Sequence, residues 1–300
     1  MMMKRGTLWN RLVATTERAL RSGALVSLGT HSAALEDGSG VRFCVRILSN
    51  LEKKDQARSQ QAQAANAGRQ VDPFLPPDPD LTVAQVSETH TAVLNKFNVV
   101  EHHLLLVTRS FEEQEMLLTL EDFAALWSCL GEYASLGFYN GGREAGASQQ
   151  HKHLQIVPLP LTPGEVSVPI APLLPAAEPD TPVSVPALPF LHAFIRLGRA
   201  PVAPAQAASR AFQLYGAMLG HVGMGQAETA RPRRQSRPYC FVLTQEWMLL
   251  VPRTREFFED ISLNSLAFVG SLFVRNEAQY DRLRQVGPMH ALRAVTVPAG

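Results

Sequence analysis

The chain has 300 residues, enough to bury one large core or two smaller ones. Its 46% hydrophobic and 18% charged residues are ordinary for a globular protein, and no run approaches the ~20 apolar residues of a membrane helix. A net charge of +1 excludes a global field that would draw in DNA, RNA or a membrane surface, so any site for a polyanion has to be local.

Cys44, Cys129 and Cys240 lie far apart and form no CxxC pair, which suits a reducing cytoplasm and argues against a cysteine-based zinc site. The opening "MMMKRGTLWNRLVATTERALRSGALVSLGT" is interrupted by Arg18 and Arg21 and has no apolar core of signal-peptide length. Its Arg content is compatible with an organelle leader. The plainer reading is an amphipathic first helix, with Leu8, Leu12, Ala19 and Leu20 near one face.

"GVRFCVRIL" alternates and is rich in Val, Phe and Ile, which predicts a strand over 40–48. The following Gln/Ala-rich stretch has no apolar period and reads as a loop or loose helix, and "DPFLPPDPDL" as a run of turns. A hairpin comes next, "HTAVLNKFNVV" with "HHLLLVTRSF". The clearest helix follows: Thr119 stands as N-cap with Asp122 three residues on, and Phe123, Leu126, Trp127 and Leu130 recur at helical spacing.

Residues 158–189 contain ten of the 21 prolines, too many for a helix or a central strand, and predict a long extended loop bridging two halves and covering the site. A helix near 203–219, the basic turn "GQAETARPRRQSRP", a second hairpin through "YCFVLTQEWMLLVPR", a helix at "NEAQYDRLRQVG" and a short tail complete the chain. "LLVTRSFEE" at 105–113 echoes "LLVPRTREFFED" at 249–260. The echo suggests an internally duplicated α+β unit whose second copy lacks the segment that carries the chemistry.

That segment is "GASQQHKHLQIVPLP". In a strand, alternate side chains face one way, so His151, His153 and Gln155 project together while Lys152, Leu154 and Ile156 take the other face. Two imidazoles and a carboxamide are costly to bury without partners. Three uses fit the row. Two histidines at i and i+2 can share a zinc, with His90, His102, His103 or a carboxylate completing the set. The pair can be structural. Or one imidazole attacks phosphorus while its neighbours orient it and stabilise charge. The approach "NGGREAGAS" favours the third, because glycine-rich turns expose backbone N–H groups to anionic oxygens.

With HxHxQ behind such a loop, the sequence resembles the ATP adenylyltransferases, or diadenosine tetraphosphate phosphorylases, of the histidine triad superfamily. The resemblance is carried by "DPFLPPDPDLTV", "LNKFNVV", "HLLLVTR", "LEDFAALW", "GFYNGGREAGASQQHKHLQIVPLP", "WMLLVPR" and "SLAFVGSLFV", in one order over nearly the whole chain. It implies an α+β fold with a histidine-triad-like antiparallel sheet and helices, internally duplicated with a degenerate C-terminal half. Residues 1–190 would form the catalytic region, ending in the Pro-rich loop, and 191–300 the C-terminal adenylyltransferase-family region.

The implied reaction is diadenosine tetraphosphate plus phosphate giving ADP and ATP, so the expected partners are the dinucleotide, ATP, ADP and phosphate. His153 would attack the α-phosphate and carry the adenylyl group; Gln155 would bond the phosphoryl oxygens and His151 would orient or polarise the site. Asn140, Gly146, Ala147, Ser148 and Gln149 would bind the polyphosphate. Lys53, Lys54 and Lys96 are the expected distant cations, Arg109 and Arg253 are expected in structural ion pairs, and the adenine pocket is expected around the first strand and Phe97. Small histidine triad hydrolases carry a third histidine where this chain has Gln155. Glutamine is neither acid nor base, which disfavours water as the acceptor.

No cofactor is expected to be held covalently, no metal-ligand cluster is visible, and Mg²⁺ would ride on the substrate phosphates. A cytoplasmic monomer without nucleic-acid or membrane partners is the expectation. The alternatives are a sugar-1-phosphate uridylyltransferase, whose cysteine or histidine metal ligands are missing here, and a non-catalytic dinucleotide sensor using the basic turn as its contact surface.

Overall fold

A computed structural model describes residues 2–49, 56, 59, 72–162, 167–198, 203–225 and 233–299. Helix α1 (Leu8–Ser22) buries Leu8, Leu12, Thr15, Thr16 and Ala19 and ends at Gly23, whose φ of 78° is the left-handed cap favoured by glycine. Leu20, expected on the buried face, is 47% exposed. Twelve residues after Leu8 at 3.6 per turn, it has rotated about a third of a turn off the stripe.

Strand β1 (Thr30–Glu36) pairs with β2 (Arg42–Leu48). The predicted strand is β2; β1 escapes prediction because it is mostly exposed and carries no alternation. Strands β3 (Thr82–Gln85), β4 (His90–Leu94) and β5 (Leu104–Thr108) precede α2 (Leu120–Leu130). Helix α2 starts at the predicted capping box, in which the Thr119 side chain accepts from the Asp122 amide and the Asp122 carboxylate accepts from the Thr119 amide.

Strands β6 (Ser135–Gly141), β7 (His153–Pro158) and β8 (Ala193–Arg196) lead to α3 (Pro204–His221), then to β9 (Tyr239–Leu243) and β10 (Trp247–Pro252). The two-residue strands β11 (Phe257–Phe258) and β12 (Ile261–Ser262) follow, then β13 (Ser271–Val274), α4 (Glu277–Val286) and α5 (Pro288–Ala294). Helix α5 replaces the expected tail, started by Pro288 after Gly287.

The large sheet has the order β3-β4-β5-β7-β6-β9-β10-β8 and is antiparallel throughout. Its centre is palindromic: β5–α2–β6–β7 and β8–α3–β9–β10 are the same strand–helix–strand–strand unit, related across the β6/β9 pair. The register repeats too. Gln155 lies opposite Phe138 and Leu105, and Leu249 lies opposite Val242 and Phe194. The duplication is therefore real, but β10 is the counterpart of β7 and not of β5, as the LLV echo suggests. That echo reflects only the shared apolar character of central strands.

One face of the sheet packs against α1, α2 and α3 through Leu104, Leu106, Leu154, Ile156, Phe241 and Leu250. The other face is divided. Over the second unit, Trp247, Leu249, Phe194 and Val242 join a core with β2, β13, Phe268 and the C-terminal helices. The Pro-rich loop spends its buried residues Val168, Ile170, Val185 and Leu188 on that core. Among the described residues, none of the hydrogen bonds or ring contacts of His151 and His153 comes from this loop, so its described part seals the second unit and not the histidines. From the first unit Leu136, Phe138 and Val157 join that core too, and beside the histidines the same face holds a small cluster of Val93, Leu105 and Val107 with Phe74.

Candidate active site

His153 begins β7 opposite Val107 and shares that face with Gln155. Its ring is nearly out of solvent, at 4% exposure, yet among the described residues it makes one hydrogen bond, from Nδ1–H to the His151 carbonyl at 2.8 Å. A carbonyl only accepts, so Nδ1 carries the proton and Nε2 keeps its lone pair. Burial pushes the His153 pKa down to about 4; the carbonyl bond opposes the shift and the nearby His151 charge adds to it. At neutral pH the residue is an uncharged imidazole with a bare nitrogen.

His151 is held at both ends. Nδ1 lies 2.8 Å from Asp72 Oδ2, and Nε2 lies 2.9 Å from both the carbonyl and the hydroxyl of Thr108. A carboxylate on one nitrogen and the Thr108 carbonyl and hydroxyl on the other fix the ring, so His151 acts on its neighbour through its backbone carbonyl. Phe74 closes over the pair, its ring 5.7 Å from His151 and 5.5 Å from His153, and Phe111 stands 5.4 Å from His151. Asp72 also accepts from the Phe74 amide at 2.9 Å, tying the aromatic lid to the ion pair.

Gln155 is oriented from behind. Asn95 Nδ2 lies 3.2 Å from His103 Nδ1, and His103 Nε2 lies 2.9 Å from Gln155 Oε1. An amide nitrogen donates, so His103 Nδ1 accepts and Nε2–H donates, which leaves the Gln155 NH₂ to point elsewhere.

On the opposite face Lys152 is fully buried, with Nζ 2.6 Å from Asp122, 3.3 Å from Glu112 and 3.2 Å from the Leu117 carbonyl. Asp122 also meets His90 Nε2 at 2.9 Å. Burial pushes the Asp122 carboxyl up, but the Lys152 charge and the His90 bond outweigh it and hold the group far below the usual carboxylate range. The start of β7 is thus pinned to the N-terminus of α2.

Residues 1–176 match the family model described as the Ap4A phosphorylase N-terminal domain, and residues 186–298 match the ATP adenylyltransferase C-terminal domain. The chain belongs to the Ap4A phosphorylase family. It is a nucleotidyltransferase by that membership. A curated relative, diadenosine 5',5'''-P1,P4-tetraphosphate phosphorylase 2 of Saccharomyces cerevisiae, is 27% identical over 299 residues, covering 89% of this chain and 87% of the relative. Among solved structures, yeast Ap4A phosphorylase Apa2 covers 99% of both chains at a TM-score of 0.79 and 22% identity. The same enzyme in complex with Ap4A gives a TM-score of 0.76.

Within this Ap4A phosphorylase fold the residues expected at the site divide into groups. His151, His153 and Gln155 come together. Asn140 lies on the Gln155 side of β6, but its Oδ1 is taken by Ser265, from the amide at 3.0 Å and the hydroxyl at 2.7 Å. Gly146 has φ +95°, and a Cβ there would come within 2.9 Å of Asn264 Cβ, so this turn needs glycine for a close approach. The Gly146 and Ala147 amides already donate to the Arg143 and Gly142 carbonyls, at 2.8 and 3.1 Å. The cradle therefore presents fewer free N–H groups than the sequence suggests. Ser148 is exposed near the end of the loop, followed by the half-buried Gln149.

Lys96 is exposed in the β4–β5 turn with its Nζ 6.0 Å above the Phe97 ring. That turn lies beyond Leu104, about 10 Å along the strand from the residue opposite His153. Lys53 and Lys54 lie outside the described residues. Arg253 is structural as expected, but through carbonyls of Leu263, Arg255, Val295 and Glu256, not through a carboxylate. Arg109 donates to the Glu88 carbonyl.

Among the described residues no three His, Cys, Asp or Glu side chains converge on a possible metal. His90 is bonded to Asp122 and His102 to Thr16, so the zinc reading loses two of its proposed ligands. No described helix is long and apolar enough to cross a membrane.

Asp72, Asn95, His103 and Gln114 escape the sequence reading in these roles. Gln114 accepts from the His153 amide at 2.8 Å across 39 residues of sequence, and Asp72 reaches His151 across 79. No periodicity marks such a contact.

Proposed function

We propose that this chain phosphorolyses Ap4A to ADP and ATP through an adenylyl group carried on His153. The observation that carries the reading is the buried His153 ring, its proton fixed on Nδ1 and its Nε2 bare, in a chain of the Ap4A phosphorylase family. Nε2 attacks the α-phosphorus, the bond from that phosphorus to the bridging oxygen breaks, and ATP leaves with the electron pair. An oxygen of inorganic phosphate then attacks the same phosphorus, the P–N bond breaks, and ADP departs with His153 restored.

The positive charge that develops on the ring is met at Nδ1–H by the His151 carbonyl. The Gln155 NH₂ is oriented by His103 to bond the equatorial oxygens as charge accumulates on them. Gln155 cannot take a proton from water, which leaves phosphate as the effective acceptor. Asn140, Gly146, Ala147, Ser148 and Gln149 form the loop against which the polyphosphate lies, with Lys96 reaching its distant part. The described residues gather no metal set, so any Mg²⁺ would arrive on the substrate phosphates, and none of these steps is routed through it.

A sensor that docks through the basic turn is disfavoured by Arg234, which pairs with Glu113 and Glu115 of the same chain. The test is incubation with α-labelled Ap4A in the absence of phosphate. Acid-labile label on wild type but not on His153→Ala, released as ADP when phosphate is added, is the expected result. Tight binding without label or turnover would overturn it in favour of the sensor. Labelling from a UDP-sugar instead would make the chain a uridylyltransferase.

A further inference from the structure

The β6–β7 ladder runs from Ser135 opposite Pro158 to Phe138 opposite Gln155 and stops there. At the next bonding positions the carboxamide of Gln114 stands between the strands. Its Oε1 accepts from the His153 amide at 2.8 Å, and its Nε2 donates to the His153 carbonyl at 3.2 Å and the Asn140 carbonyl at 2.9 Å. Gln114 is itself 3% exposed and fixed through its own backbone: its N–H donates to the Gln150 carbonyl at 2.7 Å, and its carbonyl accepts from the Tyr139 hydroxyl. Both N–H groups of the amide are already committed to carbonyls, so it keeps no donor for a substrate.

We propose that Gln114 is the positioning residue of His153: its carboxamide spreads β6 from β7 at the nucleophile and fixes the His153 backbone without touching substrate. The proposal rests on the reading of His153 as nucleophile. The His153 ring is bonded to the backbone at His151, so wherever the 151–153 backbone goes, Nε2 goes with it. One side of that backbone is held by β5, where His153 lies opposite Val107, and the other by Gln114. A displacement of about 1 Å at an attacking atom costs on the order of 100-fold in rate, which sets the scale of the effect.

The test compares Gln114→Glu and Gln114→Met in the full chain, following single-turnover transfer of label from Ap4A to the protein, the KM for Ap4A and thermal unfolding. The carboxyl introduced by Gln114→Glu keeps the shape. Protonated, it accepts from the His153 amide and donates to one carbonyl; ionised, it sets a negative oxygen against two carbonyl oxygens, and burial favours the protonated form as pH falls. Gln114→Glu should transfer about 100-fold more slowly at pH 8, with KM within about threefold of wild type, and regain at least tenfold by pH 6 while wild type stays flat. Gln114→Met should be slow at every pH.

The imidazole nitrogen resonances of His153 give a readout that needs no turnover. They should move in both variants while those of the distant buried His192 stay. Label transfer within threefold of wild type in both folded variants would overturn the proposal, as would KM rising in step with the loss. Unmoved His153 resonances would overturn it even if wild type took no label, an outcome that would separately sink the nucleophile reading.

Discussion

Strands β7 and β10 occupy equivalent places in the two units of the sheet, and what they put on the same face differs. Counting from the shared Val-Pro ending, Trp247 stands where His153 stands and Leu249 where Gln155 stands, each with the corresponding cross-strand neighbours. Lys152, fully buried behind β7, corresponds to the exposed Glu246. Over β10 the C-terminal segment packs down through Phe258, Leu263 and Phe268, and Arg253 ties that segment in place through four carbonyls. Over β7, Val157 enters the same core, and at the histidine end the neighbours among the described residues are Phe74, Phe111 and a small apolar cluster. The backbone plan is therefore indifferent to chemistry. His153 and Gln155, at 4% and 8% exposure, are about as buried as Trp247 and Leu249, at 4% and 0%. What differs is that the first pair faces a small apolar cluster among the described residues while the second pair belongs to a continuous core.

The most severe way to break this comparison is to write the histidine and glutamine into the second unit. Trp247→His with Leu249→Gln removes a buried indole, which costs about 3–5 kcal/mol, and leaves an amide without partners, about 1–3 kcal/mol more. Because the two sites sit on one strand the costs need not add, but a loss beyond about 4 kcal/mol is expected in denaturant unfolding. No second labelled histidine should appear. A stable double variant that takes up adenylyl label at position 247 would show that side-chain chemistry, not cover, was the only difference; the wild-type Trp247 core would then be incidental.

Next in size is the pair at 152 and 246. Lys152→Met removes one partner from a network in which Asp122 has no solvent to fall back on, and about 3–5 kcal/mol of stability should go with it. Glu246→Ala, at the equivalent exposed position, should change stability by less than about 0.5 kcal/mol. Equal effects at the two positions would mean that the buried network contributes nothing special to β7.

How much of this is legible in the sequence follows from the range of each signal. The capping box of α2 is written in four consecutive residues, so Thr119 and Asp122 announce it. The alternation that places His153 with Gln155 is equally local. What stays hidden is either weakly patterned, such as the exposed β1, or joined by contacts over long separations, such as Asp72 with His151 and Gln114 with His153. Lys152 shows the limit: period two puts it on the far face, but only the meeting of β7 with α2 makes that face a sealed ion site. The glycine loop is legible for a sound reason and promises too many donors, since a turn tight enough to need Gly146 also consumes its own amides.

Exchanging the residues in the other direction gives a smaller effect and sharpens the role of the carboxamide. Gln155→Leu copies Leu249 into the first unit and removes an oriented donor while preserving the apolar bulk. Adenylylation should slow by about 100- to 1000-fold with the fold retained. Loss below about tenfold would demote Gln155 to a structural partner of His103.

The mildest test is pH. A histidine at its ordinary value of 6.5 would lose half its nucleophilic form at that pH, whereas His153, lowered to about 4, should not begin to lose it until the solution is far more acid. Adenylylation measured without phosphate should change by less than about twofold from pH 8 to 6 and fall only as pH approaches 4. Stability should move over a different interval. The unfolded chain takes up a proton at 6.5 that the folded site refuses until about 4, so between those values the unfolded state binds more protons and stability falls as pH falls. His153→Phe removes that group and should flatten this part of the stability curve. The second unit already carries Trp247 at the equivalent place and has nothing there to titrate, so any acid dependence that survives in His153→Phe belongs to other groups. A rate that halves near pH 6.5 would mean that His153 is wetter than its burial implies, and that its face is more open than that of the equally buried Trp247.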